Sequence, residues 1–386
     1  MAMVRVRGRE VGPTLVTMLR AGSVIVVAVV LAACTATADE TVSPAAEPPA
    51  TLPASLPTTL PASPAPRPAS PESTLGPVER STTSPLSPAQ QRAVRLCART
   101  GIEVAGPVVA TGLVEASGLV ASRTHTGVLW AHNDGDSPGI FAIGDDGSDL
   151  GFHPLVGVDA VDIEDMAIAS GATGDDLHLA DIGDNGAERT SIRVYRFTEP
   201  DPALAAPIVD VEVLEFVYPD HPHNAETLLI DERARRLVIV TKEQVPSADG
   251  TADRFGRTAP SIVFEGELDA GGTGPVELTA TGVIDTPMLE TRVVSSTGHP
   301  ATLLGFGGVP TGGDVEPGGE LIALRTYEAV WVWPREPEQT VSDAFGAEPC
   351  QVATFTEPQG EAVAFDPEGL VTLGEGVSQP IHRLAR

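Results

Sequence analysis

Short apolar runs recur along most of the chain after residue 115, and each is followed by a polar turn and a second apolar run. Four copies can be superimposed: SGLVASRTHTGVLWAHNDGD from Ser117, EDMAIASGATGDDLHLADIGDN from Glu164, ETLLIDERARRLVIVTKEQ from Glu226 and EAVAFDPEGLVTLGEG from Glu361. A looser copy, GGDVEPGGELIALRTYEAVWVW, begins at Gly312, with a register that the sequence leaves open by a residue or more. The pattern predicts β-hairpins, usually followed by a third strand such as GIFAIGDDG.

Units of three or four short strands that repeat about every 40 to 60 residues are typical of a β-propeller. The predicted fold class is therefore all-β: a β-propeller of five to seven blades, with six favoured. A β-sandwich or a pair of small β-domains is the alternative architecture.

The propeller is predicted to span residues 88–386, because the segment before it has a different composition. Residues 34–87 are mostly Ala, Pro, Ser and Thr, which gives too little apolar bulk for a core and favours an extended chain. We interpret this segment as a disordered Pro-rich stalk. A short helical pattern, SPAQQRAVRLCART, begins at Ser87 and marks the start of the folded part.

The first 33 residues are predicted to be an export signal. Arg5, Arg7, Arg9 and Arg20 precede a short apolar core that runs from Val24 to Ala33, a pattern typical of a signal peptide. This core ends in Leu31-Ala32-Ala33, which together with Cys34 resembles a bacterial lipobox. The resemblance implies a lipid on Cys34 and a protein anchored to the cell membrane on its extracytoplasmic side. Ordinary secretion is the alternative.

Two further cysteines fall in the predicted folded part, Cys97 near its start and Cys350 near its end. An exported chain meets an oxidising compartment, so a disulfide between them is expected. Two separate buried thiols are the alternative. The formal net charge of −29 argues against nucleic acid as a partner, because phosphate binding needs basic patches. We expect a monomer.

Strand direction places two sets of polar residues on one face of the predicted disc, because the start of one antiparallel strand lies beside the end of the next. The first set opens the inner strands and consists of Ser117, Glu164, Glu226 and Glu361. The second set closes the neighbouring strands and consists of His132, Asn133, Asp134, Asp181, Asp184, Asn185, Thr241, Lys242, Glu243, Arg325, Thr326, Tyr327 and Glu375.

Carboxylates gathered at one channel mouth raise one another's pKa. Either some of them are protonated, or Lys242, Arg325 and backbone donors offset them, or a cation lies among them. Ca²⁺ is the cofactor predicted here, because it takes six to eight oxygen ligands and is abundant outside the cell. The predicted ligands are Glu164, Asp181, Asp184, Glu226 and Glu361. The alternative is that these acids bond their own backbone amides and stabilise turns.

The segment DHPHNAE raises a separate possibility of a zinc site. His221, His223 and Glu226 offer the two imidazoles and one carboxylate that zinc accepts. Spacing alone is weak evidence, since histidines in polar loops are commonly solvated, and solvated histidines are the favoured reading.

Several segments resemble a group of exported β-propeller proteins of actinobacteria: WAHNDGD at 130–136, DIEDMA at 162–167, ADIGDN at 180–185, AETLLI at 225–230, TKE at 241–243, RTY at 325–327 and PQGEAVAF at 358–365. More distantly, the chain is similar to calcium-dependent propeller hydrolases of the β-propeller phytase and gluconolactonase or paraoxonase type. That resemblance implies a glutamate that opens an inner strand and holds calcium over the channel. Two departures are the few cationic side chains and Ser117, which stands where an acid is expected.

The predicted function is a lipid-anchored propeller that binds an envelope or extracellular ligand on an acidic, calcium-bearing face. The predicted ligand-binding residues are Ser117, His132, Asn133, Asn185, Lys242, Arg325 and Tyr327. The alternative is a calcium-dependent phosphoester or lactone hydrolase that uses the same face, with Asp134, Glu164 or Glu226 as candidate general base.

Overall fold

The computed structural model describes residues 85–245, 257–270, 274–293, 307–353, 355 and 357–385. These residues form a β-propeller of five blades, each an antiparallel sheet of four main strands. The all-β propeller prediction is confirmed. Five lies within the predicted range but is one fewer than the favoured six.

The blades follow one another along the chain, and each is given from its innermost strand outward. Blade 1 contains β2 Ala116–Ala121, β3 Val128–Asn133, β4 Gly139–Gly144 and β5 Asp149–Pro154. Blade 2 contains β6 Ile163–Ser170, β7 Asp175–Asp181, β8 Ile192–Thr198 and β9 Glu212–Val217. Blade 3 contains β10 Ala225–Asp231, β11 Arg236–Thr241, β14 Ser261–Glu267 and β16 Thr279–Ile284. Blade 4 contains β17 Pro310–Val315, β18 Leu321–Thr326, β19 Val330–Pro334 and β20 Cys350–Gln351. Blade 5 contains β21 Gly360–Phe365, β22 Gly369–Gly374, β23 Pro380–Ala385 and β1 Ile102–Pro107.

The remaining elements are short. The strand β15, Val276–Glu277, pairs in parallel with β9 at the outer edge of blade 2. The strands β12, Gln244–Val245, and β13, Arg257–Thr258, pair only with each other. The described helices are α1 Pro88–Cys97, α2 Thr286–Arg292, α3 Val341–Ala344 and a 3₁₀ turn at Pro202–Leu204.

The uneven length of the blades explains the sixth blade that the repeat period favoured. The inner strands of blades 1 and 2 begin at residues 116 and 163, but those of blades 3 and 4 begin at 225 and 310. Among the described residues, the span from β10 to β17 thus contains one blade. Division of the domain length by an average repeat period counts the extra residues of this span as a sixth blade.

The hydrophobic core is divided into five clusters, and each cluster lies between two neighbouring blades. Inner strands such as β6 and β10 are buried on both faces, because a blade packs against each side. Outer strands such as β9 are exposed at several positions. The near-continuous apolar runs of the inner strands follow from this burial on both faces.

Two contacts close the ring. The first strand, β1, pairs with the last, β23, so blade 5 combines both ends of the domain. A disulfide joins Cys97, at the end of α1, to Cys350 in the outermost strand of blade 4; this is the pairing expected from the sequence. The helix α1 itself begins at the N-cap Ser87, whose side chain accepts a hydrogen bond from the Gln90 amide.

The predicted signal peptide, the lipidation site Cys34 and nearly all of the predicted stalk lie outside the described residues. Within the described residues, every helix is too short or too polar to cross a membrane.

Removal of the disulfide is expected to destabilise the domain. The bond spans 253 residues of sequence, so it strongly limits the unfolded chain, and the Cys97→Ser/Cys350→Ser variant should lose about 2 to 5 kcal/mol of unfolding free energy. Chemical denaturation measures the loss, and Cys34→Ser serves as the matched control because it retains the pair. An unfolding midpoint equal to that of the parent protein would contradict this expectation.

Candidate functional site

A β-bulge interrupts every inner strand at the same place, close to its start. The pairing register with the second strand shifts between Ile163 and Asp165, between Ala225 and Thr227 and between Gly360 and Ala362. Equivalent shifts occur between Ala116 and Leu119 and between Pro310 and Gly312. A bulge leaves one residue out of the ladder and re-aims its side chain. The residues at these five positions are Ser117, Glu164, Glu226, Thr311 and Glu361.

The two hydroxyl residues of this set connect neighbouring inner strands. Ser117 Oγ donates a hydrogen bond to the carbonyl oxygen of Glu164 at 2.5 Å. Thr311 Oγ1 lies 2.9 Å from the carbonyl oxygen of Gly360 and 3.2 Å from that of Glu361. Each hydroxyl therefore bonds the backbone of the next blade, which is a structural task. Ser117 was predicted to bind ligand, and although it lines the cavity described next, its hydroxyl is used in this contact.

The three glutamates of the set line a polar cavity of about 240 Å³. The lining residues are Glu115, Ala116, Ser117, Asp134, Glu164, Asn185, Glu226, Lys242, Tyr327, Gln359, Glu361 and Glu375. They come from all five blades or the connections between them. Of the predicted site residues, Ser117, Asp134, Glu164, Asn185, Glu226, Lys242, Glu361 and Tyr327 meet here, and we call this space the mouth cavity.

Lys242 offsets part of the negative charge in the mouth cavity. Its ammonium group forms an ion pair with Glu226 and donates a hydrogen bond to the Tyr327 hydroxyl at 2.9 Å. Burial would lower the pKa of Lys242, but Glu226, Tyr327 and Glu361 raise it overall, so the side chain remains cationic. Glu226 is therefore the glutamate of the set that has a charged partner.

Glu361 is held by an amide. Gln359 Nε2 donates a hydrogen bond to Glu361 Oε1 at 2.7 Å and also bonds Glu375. Burial and the nearby Glu226 raise the pKa of Glu361 well above its ordinary value. This carboxyl group consequently favours the protonated form unless a cation approaches it.

Glu164 forms a cluster with two aspartates. One carboxylate oxygen from each of Asp134, Asp162 and Glu164 lies within 4.8 Å of the others. Burial, followed by Glu226 and Asp134, raises the pKa of Glu164 well above its ordinary value. Burial, followed by Asp134 and Glu226, raises the pKa of Asp162 to about 6. Three oxygens at this spacing could hold a metal ion, and we call this group the carboxylate cluster.

The burial of Glu164 makes the cluster unusual. The residue is 3% exposed, and none of the described residues donates a hydrogen bond to its carboxylate, although buried carboxylates are normally bonded. This crowding explains why position 183 is a glycine. A Cβ on Gly183 would lie 2.2 Å from Glu164 Oε1 and 2.4 Å from Asp162 Oδ2. The glycine of DIGDN thus lets the loop pass directly over the two acids.

Asp181 and Asp184, both predicted metal ligands, lie outside the lining of the mouth cavity. Asp181 accepts hydrogen bonds from the Asp162 amide at 2.9 Å and the Tyr195 hydroxyl at 2.9 Å, and it pairs with Arg189 at 2.8 Å. Asp184 accepts from the backbone amides of residues 188 and 189 at 3.0 and 2.8 Å. Their oxygens stabilise the loops on either side of the cluster, which is the turn-forming role weighed as the alternative.

His132 and Asn133, predicted to bind ligand, support the backbone instead. The Asn133 side chain accepts from the amides of Val114 and Glu115 at 2.9 and 3.0 Å and donates to the Gly112 carbonyl at 2.8 Å. His132 is fully buried, and burial lowers its pKa to about 4, so it is neutral. A Cβ on Gly118 would lie 2.4 Å from His132 Nε2, so the glycine accommodates the ring.

Arg325 was also predicted at the ligand face, and its guanidinium lies behind the inner strand of blade 5. It is 1% exposed and pairs with Glu357 at 2.5 Å. Glu357 also accepts a hydrogen bond from Thr372 at 2.7 Å. A Cβ on Gly360 would overlap the guanidinium. Arg325 therefore belongs to a buried ion pair between blades 4 and 5.

The zinc ligands considered from the sequence were His221, His223 and Glu226. They do not come together, because Glu226 pairs with Lys242 inside the mouth cavity. His221 and His223 instead meet Asp220.

The predicted ligand sets omitted Asp162, Gln359 and Thr311, and also the lining residues Glu115, Ala116 and Glu375. Asp162 precedes the inner strand of blade 2, Gln359 precedes that of blade 5, and Thr311 occupies the bulge of blade 4. The signal for Asp162 was present in the repeated acids of DIEDMA. Thr311 was missed because the fifth repeat was aligned from Gly312.

No protein-family model matches the chain, and a search of curated proteins returns no significant match. Among solved structures, the chain is similar to the calcium structure of a carbohydrate-active enzyme of family AA12 from Trichoderma reesei, with 11% identity over 74% of this chain and 96% of that chain and a TM-score of 0.41. It is also similar to the PQQ-bound aldose sugar dehydrogenase of Streptomyces coelicolor, with 12% identity over 73% and 97% and a TM-score of 0.35. A third is the Cps50 β-propeller domain of Myceliophteria thermophila, with 11% identity over 70% and 84% and a TM-score of 0.30. These similarities are too low to carry an inference about activity.

The Lys242→Met variant is expected to destabilise the protein at neutral pH, because it leaves Glu226 buried without its cation. Loss of one partner of a buried ion pair costs about 3 to 5 kcal/mol. Lys242→Met/Glu226→Gln should recover most of the loss, since the uncompensated charge is gone. Arg236→Met, which breaks an exposed pair with Glu267, is the control and should cost at most about 1 kcal/mol. Urea denaturation of the four proteins is the measurement, and equal losses in both lysine variants would contradict the assignment.

The Asp162→Asn variant is expected to change how stability depends on pH in metal-free protein. The pKa of Asp162 is about 6 in the folded state and about 3.9 in an unfolded chain. The folded state therefore keeps a proton that the unfolded chain has lost, so the contribution of Asp162 to stability falls as pH rises from about 4 to about 6 and stays low above that.

In the presence of a chelator, Asp162→Asn should therefore gain unfolding free energy relative to the parent between pH 4 and pH 7. Asp136→Asn is the matched control, because Asp136 is exposed and lies outside the carboxylate cluster. A constant difference for Asp162→Asn over the same range would refute the raised pKa.

Proposed function

We propose that this protein is a calcium-binding β-propeller, lipid-anchored at the outer side of the cell membrane, that binds a ligand at its channel mouth. The observation that carries the proposal is the convergence of Asp134, Asp162 and Glu164, with Glu164 buried and without a hydrogen-bond donor among the described residues. A cation among these oxygens relieves their mutual repulsion, which otherwise requires a proton.

Calcium suits the carboxylate cluster because the nearby side chains offer carboxylate, amide and hydroxyl oxygens as ligands. Ca²⁺ takes six to eight oxygens at about 2.3 to 2.6 Å in a flexible geometry. The three carboxylates supply part of that number, and water or a bound molecule would supply the rest. The calcium ligands proposed here are Asp134, Asp162 and Glu164, and Glu226 and Glu361 are further acids that line the mouth cavity.

Two residues of the carboxylate cluster, Asp134 and Glu164, line the mouth cavity, which would give a ligand a place to bind beside the ion. Hydrogen-bonding groups of Asn185, Tyr327 and Gln359 line the same space. Among the described lining residues, Lys242 is the one cationic side chain, and its charge is paired with Glu226. A neutral, hydroxyl-rich molecule, such as an envelope glycan, fits this chemistry better than a highly charged anion.

The location in this proposal rests on the amino-terminal sequence. The charged and apolar segment before Cys34 and the Pro-rich stretch after it would place the propeller on a tether outside the membrane. An extended stalk of about fifty residues at roughly 3 Å per residue would reach on the order of 100 Å. A ligand in the cell envelope would then be within reach.

A calcium-dependent lactone or phosphoester hydrolase would use the same cavity. The observation that favours it is Glu361, a buried acid with a raised pKa that lines the same cavity as Asp134 and Glu164 and could transfer a proton. The paired state of Lys242 and the remote position of Arg325 argue against phosphoesters, so a lactone is the better substrate class for this alternative.

Calcium titration of the full-length protein by calorimetry tests the proposal. We expect one Ca²⁺ per chain and an increase in thermal stability, since a ligand that binds the folded state stabilises it. Asp134→Asn, Asp162→Asn and Glu164→Gln should each weaken binding at least tenfold, about 1.4 kcal/mol. Asp176→Asn is the control, because Asp176 lies at the opposite end of the β6–β7 hairpin.

The absence of calcium-dependent heat or stabilisation in the parent protein would refute the metal site. If calcium binds, a panel of lactones and phosphoesters separates the two functions. Turnover that requires calcium and is lost in Glu164→Gln would establish the hydrolase in place of the binding protein.

A further inference from the structure

The loop between β9 and β10 gathers nitrogen ligands beside the mouth cavity. The carboxylate of Asp220 lies between two imidazoles: its Oδ2 is 3.1 Å from His221 Nδ1, and its Oδ1 is 3.1 Å from His223 Nε2. The two rings are nearly perpendicular, with centroids 4.2 Å apart. The Asp220 and His221 side of this group faces solvent, because both side chains are exposed, whereas the His223 side chain is 2% exposed.

Glu243 determines which nitrogen of His223 carries a proton. His223 Nδ1 lies 2.7 Å from Glu243 Oε1, and an ionised carboxylate only accepts hydrogen bonds, so Nδ1 is the donor. In the neutral ring, Nε2 then directs a lone pair at an oxygen of Asp220, and two acceptors at 3.1 Å repel each other. The contact is favourable only if a second proton or a metal ion lies between them.

The distances suit a tetrahedral metal ion. Zinc binds imidazole nitrogen and carboxylate oxygen at about 2.0 to 2.2 Å, which places two ligand atoms of a tetrahedron roughly 3.3 Å apart. The observed separations are 3.1 Å from each imidazole nitrogen to one of the two Asp220 oxygens, and one ligand atom from each of the three residues lies within 4.8 Å of the others. The ring of His223 is already held by Tyr218 and Phe264, whose centroids lie 4.9 and 5.1 Å away.

We propose that Asp220, His221 and His223 form a binding site for Zn²⁺, distinct from the proposed calcium site. His221 Nδ1, His223 Nε2 and one oxygen of Asp220 are the protein ligands, and a fourth position remains for water or an external ligand. Glu243 is a positioning residue, because a carboxylate on the far nitrogen of a metal-bound histidine fixes the ring and strengthens the ligand. The nitrogen ligands select zinc over calcium, which prefers oxygen.

Zinc titration of metal-free, full-length protein at pH 7.5 tests this proposal. We expect one Zn²⁺ per chain with micromolar or tighter affinity, and at least a tenfold loss in His221→Asn and in His223→Gln. Glu243→Gln should weaken binding about 10- to 100-fold. Affinity should also fall between pH 7.5 and pH 5.5, because protons compete for the imidazoles. Visible absorption of the Co²⁺-substituted protein reports tetrahedral nitrogen ligation.

His125→Gln, a substitution in the turn between β2 and β3, is the matched control and should bind zinc like the parent. Glu164→Gln should also retain zinc affinity, which separates this site from the calcium proposal. His221 is exposed, so its substitution leaves the fold intact even if a His223 variant is unstable. No saturable zinc binding in the parent, or undiminished binding in His221→Asn, would overturn the site and leave protonated imidazoles as the explanation of the contacts.

Discussion

The five inner strands converge on one axis, and there each exposes a backbone edge that has no further strand to pair with. Buried backbone groups must be bonded, and polar side chains perform this task around the channel. The Asp165 carboxylate accepts hydrogen bonds from the amides of Leu228 at 2.8 Å and Gly313 at 3.3 Å, which belong to blades 3 and 4. Asp314 accepts from the amide of Phe365 in blade 5 at 2.7 Å. Acidic residues near the axis therefore hold neighbouring blades together.

This arrangement has an electrostatic cost, because burial disfavours the ionised form of each carboxyl group. Burial raises the pKa of Asp314 to about 7 and that of Asp165 well above its ordinary value, although backbone donors oppose the shift. At the bulges, Glu164 and Glu361 add two more buried acids with raised pKa values. The chain contains a single lysine, Lys242, and it lies among these acids. One ammonium group cannot neutralise the whole set, so protons or metal ions must supply the remainder.

The sequence repeat predicted the fold and most residues of the mouth cavity, because both follow from a short pattern that recurs in each blade. An inner strand opens with a bulge, and the residue in that bulge recurs at the same place in each superimposed unit, so Glu164, Glu226 and Glu361 could be located together. Long-range contacts decide the rest. Whether Asp184 bonds its own loop or a metal depends on the path of residues 185–189, and the destination of Arg325 depends on Glu357, a residue from the next blade. No short pattern in the sequence encodes either choice.

The end of β11 shows how two neighbouring residues serve two different centres. Lys242 and Glu243 are adjacent, yet Lys242 enters the mouth cavity, whereas Glu243 reaches His223 on the rim. Two hydrogen bonds of Asn224 connect these regions. The Lys242 amide donates to the Asn224 carbonyl at 2.8 Å, and the Asn224 side chain accepts from the Asp184 amide at 2.7 Å. Asn224, at the end of the loop between β9 and β10, thus bonds both the loop that covers the carboxylate cluster and the end of β11, which carries the cation of the mouth cavity.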